Sequence, residues 1–347
     1  MPLKIHFLNV GHGDCTFLEI PGTTNNQSDH LMMVDINNSK SLSDETELAA
    51  DLGMTVAQFK YVRAASINKS WEDYYKSLLV DPYDYYKDNL MSKYGSIFRY
   101  IQTHPDMDHM SGLHRFFWEE KVPLLNFWDI AHTKEMSEED FDNSRYSYID
   151  WLVYKALRAG LDPDSSSTDK TDHRTIYRHR HATGEFWTND SIEILSPTPE
   201  LLKTCNENGT SWNSSSYVFR VNYGGRSVVL AGDAEGPTWD SILAGAKGQL
   251  PCDILKAAHH GRESGHHANA VNEMDPDFVI CAVGDKKGIP DASPLYRKQG
   301  ATVFSTRAKG TITVTIWYDG EVWIDACGER IGELPTLKSG LASLGLQ

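Results

Sequence analysis

His104-Pro105-Asp106-Met107-Asp108-His109 sets four side chains of metal-ligating type within six residues. A protein core does not hold such a cluster bare, because burying two carboxylates this close without cations is very costly. The bland alternative is a solvated acidic turn. The preceding residues 97–102 are short and apolar and read as a buried strand that runs straight into the cluster. A strand that delivers polar residues at its end is a common way to build a site in α/β proteins. On such a loop His104 and Asp106 can serve one cation, and Asp108 and His109 a second. Imidazole with carboxylate suits Zn²⁺, Mn²⁺ or Fe²⁺.

Two more stretches of this type follow. Asp233 comes directly after the apolar residues 227–231, and its two oxygens suit it to bridge cations. His259-His260-Gly261 follows the strand-like residues 254–258. A lone Gly-Asp is usually a turn, and paired histidines are often on the surface. Three strand-end clusters of ligand type in one chain are far more specific.

Working outward, the chain reads as strands, then helices, then strands. Leu3, Ile5 and Phe7 alternate with Lys4 and His6, and residues 15–20 and 31–36 continue the strand pattern. Residues 41–95 read as mostly helical, with Asp44 and Glu47 in a capping arrangement. The stretch 71–94 reads as a helical insertion packed on the core, or as a lid. Residues 114–160 read as helix-rich and 161–172 as a loop. Gly224-Gly225-Arg226 and Asp319-Gly320 mark hairpins in the second half. The last twenty residues are weakly patterned and expected to fray. This order fits two sheets with helices outside.

The spaced pattern from His104 to His109, then Asp233, then His259 to Gly261 resembles the metallo-β-lactamase superfamily. More narrowly it resembles the ComEC-like branch, the hydrolase domain of competence DNA-uptake proteins and its freestanding relatives. His6 to Asp14, Val34-Asp35-Ile36, Asn213 to Ser216, and Thr306 with Gly310 match the same branch. The resemblance implies an α/β fold, a four-layer αββα sandwich, as a single domain over residues 1–347. The helical insertions it implies fall at about 38–96 and 114–190. It implies two divalent metal ions, zinc or manganese, held by His104, Asp106, Asp108, His109, Asp233 and one of the paired histidines. His260 is the favoured ligand, leaving His259 as the donor to the leaving group. Two departures stand out. Asp106 replaces the histidine that most of the superfamily carries, and Arg262-Glu263-Ser264 replaces the usual small hydroxyl residues.

Such a pair of cations lowers the pKa of a bridging water and stabilises charge on the attacked centre. Asp108 is expected to bind metal and orient the nucleophile, with His259 protonating the leaving oxygen. Asp14 and Asp35 either orient a ligand histidine or cap a turn. His12 reads as a structural turn residue. Asn213 and Ser216 read as substrate contacts or as a turn with local hydrogen bonds.

The chain carries a net charge of −15, which argues against a general nucleic-acid coat but not against a nuclease, since bound cations reverse the local sign. One basic run, residues 174–181, offers Arg178 and Arg180 to phosphate and Tyr177 to a base, unless it is only a solvated surface. The expected activity is a phosphodiesterase or nuclease acting on DNA or nucleotides, so the expected partner is a phosphodiester-containing substrate. The alternatives are a hydrolase of small acyl substrates (lactone or lactam) and a metal-binding protein that meets a protein partner through its insertions. Five scattered cysteines without a CxxC pair read as reduced thiols of a cytoplasmic protein. No apolar run reaches the roughly 18 residues of a membrane span, so no membrane is expected.

Overall fold

The computed structural model describes residues 1–22, 28–38, 54–59, 61, 71–162, 173–180, 182, 189–209, 211–246, 250–283 and 290–337. The capping pair Asp44 and Glu47, the loop residues 163–172, and His181 lie outside these.

Fifteen described strands form two sheets. In chain order they are β1 (Leu3–Phe7), β2 (Thr16–Ile20), β3 (His30–Val34), β4 (Arg99–Ile101), β5 (Asn126–Asp129), β6 (Arg174–Tyr177), β7 (Ile192–Ser196) and β8 (Val218–Tyr223). They continue with β9 (Arg226–Leu230), β10 (Ile254–Lys256), β11 (Phe278–Cys281), β12 (Thr302–Ser305), β13 (Ile312–Ile316), β14 (Val322–Ala326) and β15 (Glu329–Leu334). The first sheet has nine strands in the order β15-β14-β13-β1-β2-β3-β4-β5-β6, the second six in the order β12-β11-β10-β9-β8-β7.

Strand alternation sorts the apolar residues into layers. Ile5, Phe7, Met32, Val34, Val228, Leu230 and Ile254 share one core between the sheets. Their neighbours point outward. Leu31 and Met33 join a second core with Tyr86, Phe116 and Trp151, and Val229 and Leu255 a third with Trp239 and Tyr296. Helices Pro82–Asn89 and Tyr148–Arg158 cover the first sheet, Gly236–Ala246 and Ala268–Met274 the second. The result is helix, sheet, sheet, helix. Strands buried on both faces lose the polar alternation that marks a half-exposed strand.

The site is placed by strand direction. β3, β4, β5 and β6 run parallel to one another, as do β9, β10, β11 and β12. The loops that leave their carboxyl ends carry Asp35, residues 102–109, Asp233 and the paired histidines.

Two expectations are corrected. Residues 114–190 are not simply a helical insertion, because β5 and β6 lie there and extend the first sheet. Four-residue strands are too short to show a period. The weakly patterned end of the chain includes β15, which pairs antiparallel with β14 and forms the sheet edge.

Gly13 shows how tightly the first loop meets the ligand loop. Its φ is +136°, and a Cβ there would overlap the Asp108 carbonyl and the Asn37 side chain. Gly95, at φ +65°, has open space around it. Gly95→Ala should therefore cost only the left-handed penalty, about 1–2 kcal/mol. Gly13→Ala should cost clearly more by urea denaturation, and equal costs would contradict this packing.

Candidate metal centre

His104 and His109 sit on the loop after β4, fully buried, with ring centroids 4.2 Å apart. Three backbone hydrogen bonds fix this loop: Asp35 N to Ile101 O, Ile36 N to His109 O, and Asp14 N to Asp108 O. Asp233 arrives from β9 and reaches into the middle. Its Oδ1 is 3.2 Å from His109 Nε2, and its Oδ2 is 3.4 Å from His260 Nε2 and 3.8 Å from His104 Nε2. Asp108 Oδ2 lies 3.3 Å from His260 Nε2, and Asp106 Oδ2 lies 3.6 Å from His104 Nε2.

The imidazoles are held by their outer edges. His109 Nδ1 donates to Asp35 Oδ2 at 2.7 Å. The Thr103 hydroxyl donates to the same carboxylate at 2.7 Å, so it accepts from His104 Nδ1 at 3.1 Å. His260 Nδ1 donates to the Ala282 carbonyl at 3.0 Å. In each neutral ring the lone pair is then left on Nε2, facing inward. Histidines backed by a carboxylate or carbonyl in this way are the usual pattern around a metal.

The inward atoms test the fit of a cation. His104 Nε2, His109 Nε2, His260 Nε2 and Asp233 Oδ1 are buried without a hydrogen-bond partner. Each such atom costs roughly 1–3 kcal/mol if left unsatisfied. Atoms of Asp14, His109, Asp233 and His260 lie within 4.8 Å of one another, as do those of His12, Asp108 and His260. A buried imidazole and carboxylate cluster of this kind fits divalent cations.

Charge leads to the same conclusion. Burial disfavours a charged His260 imidazole, but the Asp233 and Asp14 carboxylates outweigh it and raise His260 to about 9. Burial likewise opposes charge on His109, and Asp233 and Asp35 push it well above the ordinary histidine range. The carboxylates thus draw protons onto these rings where a cation would otherwise balance them.

The structure also brings in Lys256 and Lys134, which the sequence did not single out, and places His12, read there as a structural turn residue, beside Asp108. Lys256, at the end of β10, is 3% exposed and forms a close ion pair with Asp14. Burial pushes the Asp14 carboxyl up, but Lys256 and His260 overcome this and bring it down to about 2. Asp14 faces the Nδ1 edges of His260 and His109, at 3.3 and 3.7 Å, so it backs the rings. His12 stands at the mouth, its Nε2 3.4 Å from Asp108 Oδ2. Arg262 donates to His12 Nε2 at 2.8 Å and to His259 Nε2 at 3.0 Å. Lys134 pairs with Asp106 Oδ1 at 2.6 Å. A lysine within the apolar residues 254–258 was the available signal for Lys256; the partners of Lys134, His12 and Arg262 depend on chain contacts far apart in sequence.

The paired histidines take different positions. His259, His260 and Gly261 all have positive φ, a tight turn that sends adjacent rings apart. His260 is fully buried among Asp108 and Asp233. His259 lies at the rim, with Nδ1 2.8 Å from Ser264 Oγ and 3.2 Å from Glu235 Oε1. Asn213 Nδ2 is 3.5 Å from His259 Nε2.

Two of the expected substrate contacts, Ser216 and Arg180, are buried in supporting positions, and a third, Arg178, lies away from the candidate ligands. Ser216 is fully buried, and its Oγ accepts from the Asp233 backbone N–H at 3.3 Å, so it supports the Asp233 loop and is closed to a substrate. Arg180 is buried with its guanidinium donating to the Ser241 carbonyl at 2.9 Å, a contact made from beneath a helix. Arg178 is half-buried at the end of β6, two strands from β4 and outside the cation cluster.

No protein-family model matches the chain. It is 25% identical over 105 residues to the competence protein ComA of Neisseria gonorrhoeae, covering 30% of this chain and 14% of that one. It is 28% identical over 137 residues to recombination protein 2 of Haemophilus influenzae, covering 38% of this chain and 16% of that one. The matched stretches are therefore a small part of those relatives. Among solved structures, the metallo-β-lactamase fold protein YhfI of Bacillus subtilis superposes at a TM-score of 0.40 with 11% identity, over 94% of this chain and all of that one.

Removing Asp35 should loosen both His109 and Thr103. Asp35→Ala should weaken Zn²⁺ binding about 10- to 100-fold in a chelator competition, and unchanged affinity would count against its backing role. Lys256→Met should destabilise the protein by about 3–5 kcal/mol through the stranded Asp14. Adding Asp14→Asn should recover much of that in thermal unfolding. The layered sheets and the site at their shared edge match the αββα sandwich that the sequence resemblance implies, and over part of its length the chain is similar to a competence protein and a recombination protein.

Proposed function

We propose that the protein is a metal-dependent hydrolase that cleaves phosphodiesters, acting on DNA or nucleotides. The observation that carries the reading is the set of inward-facing, unsatisfied imidazole and carboxylate atoms around Asp233. His104, Asp106 and Asp233 would hold one cation, and Asp108, His109, His260 and Asp233 the other, with zinc or manganese as the metals. When bound, the cations would supply a nucleophilic hydroxide near neutral pH and neutralise charge on the phosphoryl group.

The chain's own groups do the rest. Asp108 lies between His12 and His260 and is positioned to align the attacking water through its free lone pairs. His259 has Glu235 Oε1 3.2 Å from Nδ1, and its Nε2 lies between Asp233 and Arg262, whose guanidinium would have to release Nε2 for the ring to carry a proton there. From there it can protonate the leaving oxygen. Arg262 adds a fixed positive charge at the rim, which suits an anionic phosphodiester better than a neutral lactone or lactam. The names of the two matched relatives, a competence protein and a recombination protein, support a DNA setting.

Metal-stripped protein given back Mn²⁺ or Zn²⁺ should hydrolyse bis(p-nitrophenyl) phosphate. Asp108→Ala should abolish turnover, and His259→Ala should lower kcat by about 10²- to 10⁴-fold. Confirmed metal occupancy with no turnover on this ester would rule out the phosphodiesterase reading.

A further inference from the structure

We propose that a second cleft, between the end of β6 and helix Pro199–Asn208, binds a nucleotide of a single-stranded nucleic acid and leads that strand to the cation cluster. The proposal rests on the phosphodiesterase reading above and adds to it a place where the substrate is gripped away from the reacting bond.

The cleft has a volume of about 410 Å³, and Tyr177, Arg178, His179, Leu202 and Lys203 are among its lining residues. Pockets that hold small ligands span roughly 300–1,000 Å³, so one nucleotide fits. Tyr177 is an aromatic left 43% exposed at a strand end, and the Arg158 guanidinium lies 5.6 Å from its ring centroid. A ring covered on one side and open on the other is a stacking platform that accepts any base. Arg178 and Lys203 add positive charge in a chain whose net charge is −15. Glu207 also lines the cleft and pairs with Lys203 at 3.7 Å, both largely exposed, so Lys203 is free to swing toward a phosphate.

The cleft and the cation cluster share one wall. Ala131 lines the cleft, and its carbonyl accepts from Asn206 Nδ2 at 3.0 Å. Thr133 N–H donates to Asn206 Oδ1 at 3.0 Å. One residue on, Lys134 pairs with the candidate ligand Asp106. Three residues of chain reach about 11 Å at most, so an extended strand can touch both places at once. The wall is also rigid. Tyr154 OH donates to Asp129 Oδ2 at 2.8 Å, and His132 Nε2 lies 2.5 Å from the same hydroxyl. Tyr217 OH donates to the Asp129 carbonyl and accepts from Arg178 N–H, tying the ends of β5 and β6 together. A linear polyanion with stackable bases meets both the aromatic and the cationic groups, whereas a compact acyl substrate would use neither.

The test uses metal-loaded protein and a fluorescein-labelled oligothymidylate with phosphorothioate linkages, read by anisotropy. Tyr177→Ala and Lys203→Glu should each weaken binding, the first by about 10- to 100-fold. Both should leave bis(p-nitrophenyl) phosphate hydrolysis unchanged, since neither residue touches the candidate ligands. Equal binding by wild type and both variants, or no binding by wild type, overturns the proposal. Competition by thymidine monophosphate at the affinity of the oligonucleotide overturns the strand reading in favour of a free nucleotide. Failure of the phosphodiesterase reading shows separately, as wild-type protein that binds the oligonucleotide but does not cleave the small ester.

Discussion

The Asp35 carboxylate joins the fold to the site. It accepts from the Thr103 backbone N–H, the Thr103 hydroxyl and the His109 ring, all at 2.7 Å. Through them it sets the direction of the loop after β4 and the orientation of two imidazoles. Asp35 itself has a φ of +54°, a backbone conformation that an aspartate tolerates better than most residues. That kink turns its side chain from β3 across to β4. Without this joint the inward lone pairs of His104 and His109 have no fixed aim.

A single joint would not suffice if the charges around it were unbalanced. Asp14, Asp35, Asp108 and Asp233 crowd together, and Lys256 is the ammonium buried among them. Protonated histidines or bound cations must make up the difference. Protonated rings would mask the lone pairs that the surrounding contacts direct inward, so the two solutions compete, and metal binding must release protons. Lys256 offsets part of the carboxylate charge whichever solution is in place. In this sense the site's chemistry and the protein's stability draw on the same few groups.

The layout also sets the proposed cleft apart from the candidate metal site. Both parallel sets of strands end at one edge of the sandwich, which is why loops from distant sequence positions converge there. The candidate metal ligands occupy the centre of that edge. β5 and β6 extend the first sheet sideways and carry a wall and a cleft with them. Added strands thus lengthen the working edge without disturbing the central loops.

The candidate ligands were legible in the sequence because they are written locally. Four ligand-type residues in six positions, an aspartate after a strand, and a histidine pair before a glycine are short-range signals, and the two layered sheets followed from the order of strand-like segments. Asp14 and Asp35 could be placed near the site but not given a partner. Tertiary structure alone decided the rest. It put Lys256 against Asp14 across 242 residues, buried Ser216 and Arg180 beneath the elements they support, and separated His259 from His260 by a left-handed turn. It also turned part of a helix-rich stretch into sheet. The physical reason is range: ligand chemistry is a property of side chains close in sequence, whereas burial, charge pairing and strand order depend on which distant segments share a layer.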